Sequence, residues 1–128
     1  MGPVKILSVG LGDLVSRRDA ALRTVGFEVV SALSLDELAR ACASVQFDVA
    51  IVGNAFSIPE KVQFVRCLQG VFRLPVILIS GRNQYLASIR ADSYVSVDAP
   101  FSNLLGAISQ FAGDQELRRL RPDEGQTA

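Results

Sequence analysis

The chain has 128 residues, of which 49% are hydrophobic and 20% are charged, a composition typical of one globular domain. Its 13 Lys and Arg balance its 13 Asp and Glu, so no net charge draws it to nucleic acid or to an anionic membrane. Because no apolar run reaches about 18 residues and the N-terminus lacks the parts of a signal peptide, we expect a cytoplasmic protein.

The first part of the chain alternates short apolar runs with a helical pattern. Val4–Val9 is typical of a strand that is buried on both faces of a sheet, and Phe27–Ala32 predicts a second strand. The helix between them is predicted to begin at a cap on Asp13 or Ser16 and to end at Gly26. These segments therefore predict a β-α-β unit.

Further units follow in the middle of the chain. A capping box of Ser34 and Glu37 predicts the start of a second helix. Phe47–Val52 is a third strand pattern and Pro59–Phe72 a third helical one. Pro75–Ser80 gives the strongest strand signal in the sequence.

The last part of the chain holds a short helical pattern over Asn83–Arg90, a fifth strand over Tyr94–Val97 and a fifth helix over Ser102–Phe111. Five strand-then-helix units predict a parallel sheet between two layers of helices, because parallel strands need crossover connections. We therefore expect one domain over residues 1–112 and a charged C-terminal tail or linker over residues 113–128.

The cysteines and the lack of histidine argue against a metal site. Cys42 and Cys67 form no CxxC pair, and the sequence contains no His. Both are predicted to be reduced, buried thiols, and neither a metal nor another cofactor is expected. Ser80 followed by Gly81 has no His to activate its hydroxyl, so nucleophilic catalysis is not expected either.

Four phrases of the sequence carry a resemblance: KILSVG in the first strand, FDVAIVGN in the third, LPVILIS in the fourth, and ADSYV with APF around the fifth. With them, residues 4–112 resemble the receiver domain of bacterial two-component response regulators. The resemblance implies a CheY-like, flavodoxin-like (βα)5 sandwich, in which the five-stranded parallel sheet has the order 2-1-3-4-5. It also implies a role in signal transduction.

A receiver accepts phosphate on an Asp after the third strand, surrounded by an acidic pair for Mg²⁺, a Thr or Ser, and a Lys before a Pro. By the resemblance, the corresponding positions of this chain form what we call the vestigial pocket: Gly10, Leu11, Gly53, Ser80 and Ala99. Only Ser80 keeps the family's residue type. The resemblance therefore implies a pseudo-receiver that has no phosphoacceptor, is not an enzyme and acts by contact with a protein.

Polar neighbours of the vestigial pocket are interpreted as structural, the alternative being that they replace lost groups. Asp13 is expected to cap a helix, and Asn54 and Asp98 are expected to serve turns. Tyr94 and Ser96 share a face of the fifth strand, and either matches the family's switch aromatic position. Without phosphate to report, Tyr94 is predicted to be a fixed surface or packing residue.

A partner surface is expected on the face formed by the fourth helix, the fifth strand and the fifth helix. Its candidate residues are Arg82, Arg90, Asp92 and Tyr94. The partner would be another protein or a second copy of the chain, with no membrane and no direct nucleic acid. The alternative for these residues is an ordinary solvated surface.

The glycines after the first strand leave a second function open. Gly10 and Gly12 begin a G-x-G pattern, but the position for its third glycine is Val15. The alternative prediction is therefore a small-ligand or nucleotide sensor that uses the glycine-lined crevice at the carboxyl ends of the strands.

Overall fold

A computed structural model describes residues 3–10, 12–81 and 89–112 of the chain. Its strands are β1 Lys5–Val9, β2 Glu28–Ala32, β3 Val49–Val52, β4 Val76–Ser80 and β5 Ser93–Ser96. They form one parallel sheet with the order β2-β1-β3-β4-β5, which confirms the predicted flavodoxin-like arrangement. The first four strands begin one or two residues later than predicted, and β5 is shifted by one residue toward the N-terminus.

The described helices are α1 Asp13–Val25, α2 Leu35–Ser44, α3 Ile58–Arg66 and α4, which covers residues 101–112. Residues 83–88 of the fourth predicted helix and the tail over residues 113–128 lie outside the described part of the chain, and the last two residues of that predicted helix, Ile89 and Arg90, are not helical. Within that part, no helix has both the length and the apolar character needed to cross a membrane.

Helix α1 begins and ends at glycines. Its N-cap is Gly12, with φ of +93° and no side-chain hydrogen bond, so the predicted cap on Asp13 or Ser16 is wrong. Asp13 instead lies in the first turn, where a carboxylate opposes the positive end of the helix dipole. At the other end, Gly26 adopts a left-handed φ of +118° and its N–H donates to Arg23 O, which confirms the predicted stop.

Helices α2 and α3 begin at serine caps. The Ser34 hydroxyl accepts from the backbone N–H of Glu37 at 3.2 Å, but the Glu37 carboxylate accepts from Leu33 N–H, so the predicted box is only half formed. A complete capping box starts α3, where Ser57 and Glu60 satisfy each other's backbone N–H groups. Helix α3 then continues as a π-helical turn over Cys67–Val71.

Both faces of the sheet are buried under helices, which gives the three layers expected of this fold. One face packs with Leu38 of α2 and Phe64 of α3, and the other with Leu22 of α1 and Ile108 of α4. Successive strand residues point to opposite faces, which explains why the central strands β1, β3 and β4 are nearly continuous apolar runs. The two cysteines pack against the core on the α2 and α3 face of the sheet, but they are half-buried rather than buried.

Candidate functional site

The vestigial pocket lies at the edge of the sheet where β1 and β3 end. Gly10 follows β1 and Gly53 follows β3, and the Gly53 N–H donates to Val9 O at 2.7 Å. A Cβ built on Gly53 would lie 3.6 Å from the Gly10 Cα. The structure therefore brings these two positions into contact, whereas Leu11 lies outside the described residues.

The side chain of Val15, in the first turns of α1, occupies the space beside both glycines. A Cβ on Gly10 would lie 2.7 Å from Val15 Cγ2, and a Cβ on Gly53 would lie 3.7 Å from the same atom. Carbon atoms in contact prefer separations of about 3.5–4.0 Å, so the valine methyl fills the room that a side chain at position 10 would need. An apolar group thus stands where the resemblance implies carboxylates.

A buried lysine reaches the neighbouring part of this edge from α3. Lys61 is fully buried, and its Nζ donates to Asn54 Oδ1 at 3.0 Å. The Asn54 amide lies against Gly81, whose built Cβ would be 3.0 Å from Asn54 Nδ2. Asn54 lies in a turn as predicted, but it also binds the lysine. Burial lowers the pKa of Lys61 below its ordinary value.

The sequence pattern contains a signal for Lys61 that the prediction did not use. Lys61, Phe64, Val65 and Leu68 follow the i, i+3, i+4, i+7 spacing of a buried helix face, and all four are buried. A lysine on an otherwise apolar stripe indicates either an error in the helix assignment or a buried, hydrogen-bonded amine.

A second buried polar cluster joins α1 to β1 and β2. The carboxylate of Asp19, which is 2% exposed, accepts from Ser8 Oγ at 2.7 Å and from Ser31 Oγ at 3.0 Å. Arg18 Nη2 donates to the same Ser8 hydroxyl at 3.1 Å, and Arg18 Nε lies 3.9 Å from Asp19 Oδ1. Burial lowers the pKa of Arg18, and the charge of Asp19 opposes this shift. Asp19 was not predicted, although it lies four residues after Val15 on the apolar stripe of α1.

The remaining pocket positions lie at the ends of β4 and β5. Ser80 ends β4, is half-buried, and its carbonyl accepts from Val97 N–H at 2.8 Å. Ala99 is partly buried against the core on the α1 and α4 face of the sheet, and it brings no charge to the carboxyl edge. Asp98 lies in the turn predicted for it, and its N–H donates to Ser96 Oγ at 3.2 Å.

The aromatic ring of Tyr94 is half exposed, but its hydroxyl is held by backbone groups. The hydroxyl donates to Ile89 O and accepts from Ala91 N–H at 3.1 Å. The side chain is thus fixed against the segment that precedes β5. This geometry agrees with the interpretation of Tyr94 as a fixed residue.

The other candidates for a partner surface differ in role. Arg82 lies outside the described residues, and Arg90 is exposed. Asp92 is exposed as a residue, yet its Oδ2 accepts from Val76 N–H at 2.7 Å and from Gln69 Nε2 at 3.1 Å. Asp92 therefore holds the start of β4, which the sequence pattern does not indicate.

No protein-family model and no curated protein matches the chain. Among solved structures, a response regulator receiver domain from Clostridium thermocellum is 20% identical, with a TM-score of 0.77, covering 89% of this chain and 98% of that one. A CheY-like receiver domain protein from Methanospirillum hungatei is 19% identical, with a TM-score of 0.75 and coverages of 91% and 99%.

The receiver domain of a sensor histidine kinase from Pseudomonas aeruginosa, solved with a magnesium ion coordinated in its active site cleft, is also similar. It is 15% identical, with a TM-score of 0.71, covering 88% of this chain and 99% of that one. The element order, the sheet order and these similarities agree, and the chain has the receiver-domain fold of two-component response regulators.

Proposed function

We propose that this chain is a phosphorylation-independent pseudo-receiver that acts in signal transduction as a protein-interaction module. The observation that carries the proposal is the packing of Val15 against Gly10 and Gly53 at the carboxyl edge of the sheet. An acyl phosphate forms only on a carboxylate, and Mg²⁺ takes oxygen ligands in near-octahedral geometry. Two glycines and a valine methyl supply no carboxylate for either role.

The fixed position of Tyr94 supports the same proposal. A residue that reports phosphorylation must exchange between two positions of similar free energy. The two hydrogen bonds between the Tyr94 hydroxyl and the backbone at Ile89 and Ala91 favour one position. A surface presented in one state suits recognition by contact.

Exposed apolar side chains near β5 provide the area for such a contact. Tyr94, Val97 and Phe101 are 48%, 40% and 37% exposed, and they lie in β5, in the turn after it and at the start of α4. Aromatic residues are enriched where proteins bind one another. We propose a protein partner, or a second copy of the chain, at this face.

The alternative of a small ligand in the glycine-lined crevice stays a prediction. Val15 lies in the space between Gly10 and Gly53, so no specific observation at this crevice favours a ligand there.

Incubation with a small phosphodonor and Mg²⁺, followed by intact mass measurement, tests the absence of phosphorylation. We expect no phosphoryl adduct on the wild-type chain and none on a Gly53→Asp variant, because that variant still lacks the acidic pair and the lysine. An active receiver treated in parallel shows that the donor is competent. A stable adduct on the wild-type chain would contradict the proposal.

Contact through the β5 face is tested by sedimentation and by capture of partners from the native host. Phe101→Ala should weaken self-association or partner capture, whereas Arg17→Gln, an exposed change on α1, should not. Added phosphodonor should change neither. Binding that requires phosphodonor would refute the mechanism by contact.

A further inference from the structure

A groove lies between α3 and residues 89–92, the segment that leads into β5. Its volume is about 290 Å³, close to the lower end of the range for ligand pockets. The described residues that line it are Val62, Val65, Arg66, Gln69, Ile89 and Arg90. Val65 and Ile89 belong to the core and form a floor that offers almost no apolar surface. The groove therefore suits an extended peptide segment better than an apolar small molecule.

Two arginines stand beside this floor, one on each wall. Arg66 lies in the last turn of α3 and Arg90 in the segment before β5, and both are exposed. Within the described part of the chain, neither guanidinium group makes a hydrogen bond or an ion pair. Arg66 also has no acidic residue three or four positions away along its helix, where such a pair could form. Both cations are therefore available to a partner.

Gln69 holds the two walls of the groove together. It lies in the π-helical turn, and its Nε2 donates to Arg90 O at 2.8 Å and to Asp92 Oδ2 at 3.1 Å. The same carboxylate oxygen accepts from Val76 N–H at 2.7 Å, so Asp92 is engaged in the fold. The backbone that carries Arg90 is thus fixed relative to α3 before a partner arrives. A site that is already formed loses less conformational entropy when it binds.

We propose that this groove binds an acidic peptide segment of a protein partner, in which two carboxylates flank a small apolar side chain. The carboxylates accept hydrogen bonds from Arg66 and Arg90, because the planar guanidinium group matches the geometry of a carboxylate. The apolar side chain lies against Val62, which is partly buried. The inference rests on the proposed function, since it names the chemistry of one partner of the interaction module. The groove shares no residue with the vestigial pocket or with the exposed apolar side chains beside β5.

The charge balance favours a protein segment over a nucleic acid. The chain has 13 Lys and Arg against 13 Asp and Glu, and the described lining of the groove carries two cations. Affinity for a nucleic acid comes mainly from many phosphate contacts, which two arginines do not supply. Two carboxylates on a short segment match the two guanidinium groups one to one. Because exposed ion pairs are weak individually, we expect transient binding that is sensitive to salt.

NMR titration of the isotope-labelled full chain with four acidic peptides tests the proposal. In these peptides none, one, two or three valines separate two glutamates, and glutamine replaces both glutamates in matched neutral peptides. We expect amide shifts at Val62, Arg66, Gln69 and Arg90 with at least one acidic peptide, and binding of its neutral counterpart that is at least about tenfold weaker. Raising NaCl from about 50 to about 300 mM should weaken the binding several fold. No shifts at these residues with any acidic peptide, or equal binding of the neutral peptide, would overturn the proposal.

Exposed variants locate the site and test its charge. Arg66→Gln and Arg90→Gln should each lower the affinity for the acidic peptide by about threefold or more. The matched control is Arg17→Gln, on α1 at the other face of the sheet, which should leave the affinity unchanged. With Arg66→Glu and Arg90→Glu combined, the same peptide with lysines in place of its glutamates should bind instead of the acidic one. Equal affinity in the three glutamine variants, or a charge-reversed chain that does not prefer the lysine peptide, would exclude this groove as the site.

Failure of the groove proposal can be distinguished from failure of the proposed function. Phe101→Ala, which should weaken contact through the β5 face, should leave peptide binding unchanged. If no peptide binds while partner capture still depends on Phe101 and not on phosphodonor, the groove proposal fails and the proposed function stands. A phosphoryl adduct on a chain that binds the peptide would refute the proposed function and leave the groove as the peptide site. A short single-stranded oligonucleotide that shifts the same residues with higher affinity than any peptide would overturn the groove proposal.

Discussion

The packing of Val15 against Gly10 makes a quantitative prediction about the vestigial pocket. Gly10 does not have the left-handed φ of Gly12 or Gly26, so its backbone accepts a side chain and only space limits substitution. In Gly10→Ala the new Cβ would lie 2.7 Å from Val15 Cγ2 and 3.2 Å from Cγ1. This overlap of about 1 Å with the preferred carbon–carbon distance must be relieved by moving the valine or the start of α1.

Overpacking of this kind costs about 1–3 kcal/mol in free energy of unfolding. The loss of glycine flexibility in the unfolded chain returns about 0.4–1 kcal/mol, so the net destabilisation of Gly10→Ala should be about 1–2 kcal/mol. Urea denaturation measures this change. Gly106→Ala, in α4, is the matched control, because its Cβ meets nothing within 4 Å and should stabilise the chain by about 0.5–1 kcal/mol.

A double-mutant cycle identifies Val15 as the cause. Val15→Ala removes the methyl groups that the new Cβ meets, so Gly10→Ala in that background should be neutral or stabilising. The free energy of unfolding of the double variant should then be about 1–2 kcal/mol higher than the sum of the two single changes predicts, which is within the range for residues in contact. The reasoning is refuted if the two changes are additive, or if Gly10→Ala by itself stabilises the chain as much as Gly106→Ala.

Three further predictions concern Asp19, Lys61 and Cys42. Asp19→Ala leaves the Ser8 and Ser31 hydroxyls without their acceptor and the Arg18 guanidinium without its neighbouring negative charge. Urea denaturation should show a loss of about 3–5 kcal/mol, whereas Asp19→Asn should lose less. Burial lowers the pKa of Lys61, so at a pH between its folded pKa and the ordinary value of 10.5 the unfolded chain binds more protons than the folded chain. The free energy of unfolding of the wild-type chain should therefore rise, relative to that of Lys61→Met, as the pH approaches 10.5. A difference between the two chains that stays constant with pH would contradict this. Burial, with a smaller effect of the Cys67 thiol, raises the pKa of Cys42 from 9.0 to about 11. In a Cys67→Ser variant, which keeps the burial, iodoacetamide should therefore alkylate the folded chain at least about tenfold more slowly than the denatured chain at neutral pH.

The element order could be predicted because the central strands are buried on both faces, whereas the sheet order followed only from the resemblance. A run such as Val49–Val52 is fully buried and therefore uniformly apolar, and its periodicity differs from that of the helices on either side. The N-terminus of α1 could not be predicted in the same way. Asp13 and Ser16 are both good capping residues, yet the tight turn through Gly12 starts the helix before either can act as the cap.

Because α1 starts directly after Gly12, the packing inside the vestigial pocket could not be predicted either. The resemblance predicts that Gly10 and Gly53 stand in place of carboxylates, but the identities of these residues do not show what fills the space. Val15 reaches both glycines only because α1 begins directly after Gly12, which is a property of the loop and not of a motif. Lys61 and Asp19 were missed for a different reason, since each is a charged residue on an apolar stripe whose partner is remote in sequence.

The buried positive charges near the carboxyl edge of the sheet have partners within the protein. In a receiver, clustered carboxylates repel one another unless a metal ion or a lysine compensates their charge. The charge balance of such a site therefore changes when a phosphoryl group is added. Among the described residues, two buried cations near this edge already have hydrogen-bond partners: Lys61 donates to Asn54, and Arg18 donates to Ser8 and lies beside Asp19. Under the proposed function, Gly53 offers no carboxylate that could accept a phosphoryl group. The exposed apolar side chains beside β5 are where we propose that a protein partner binds.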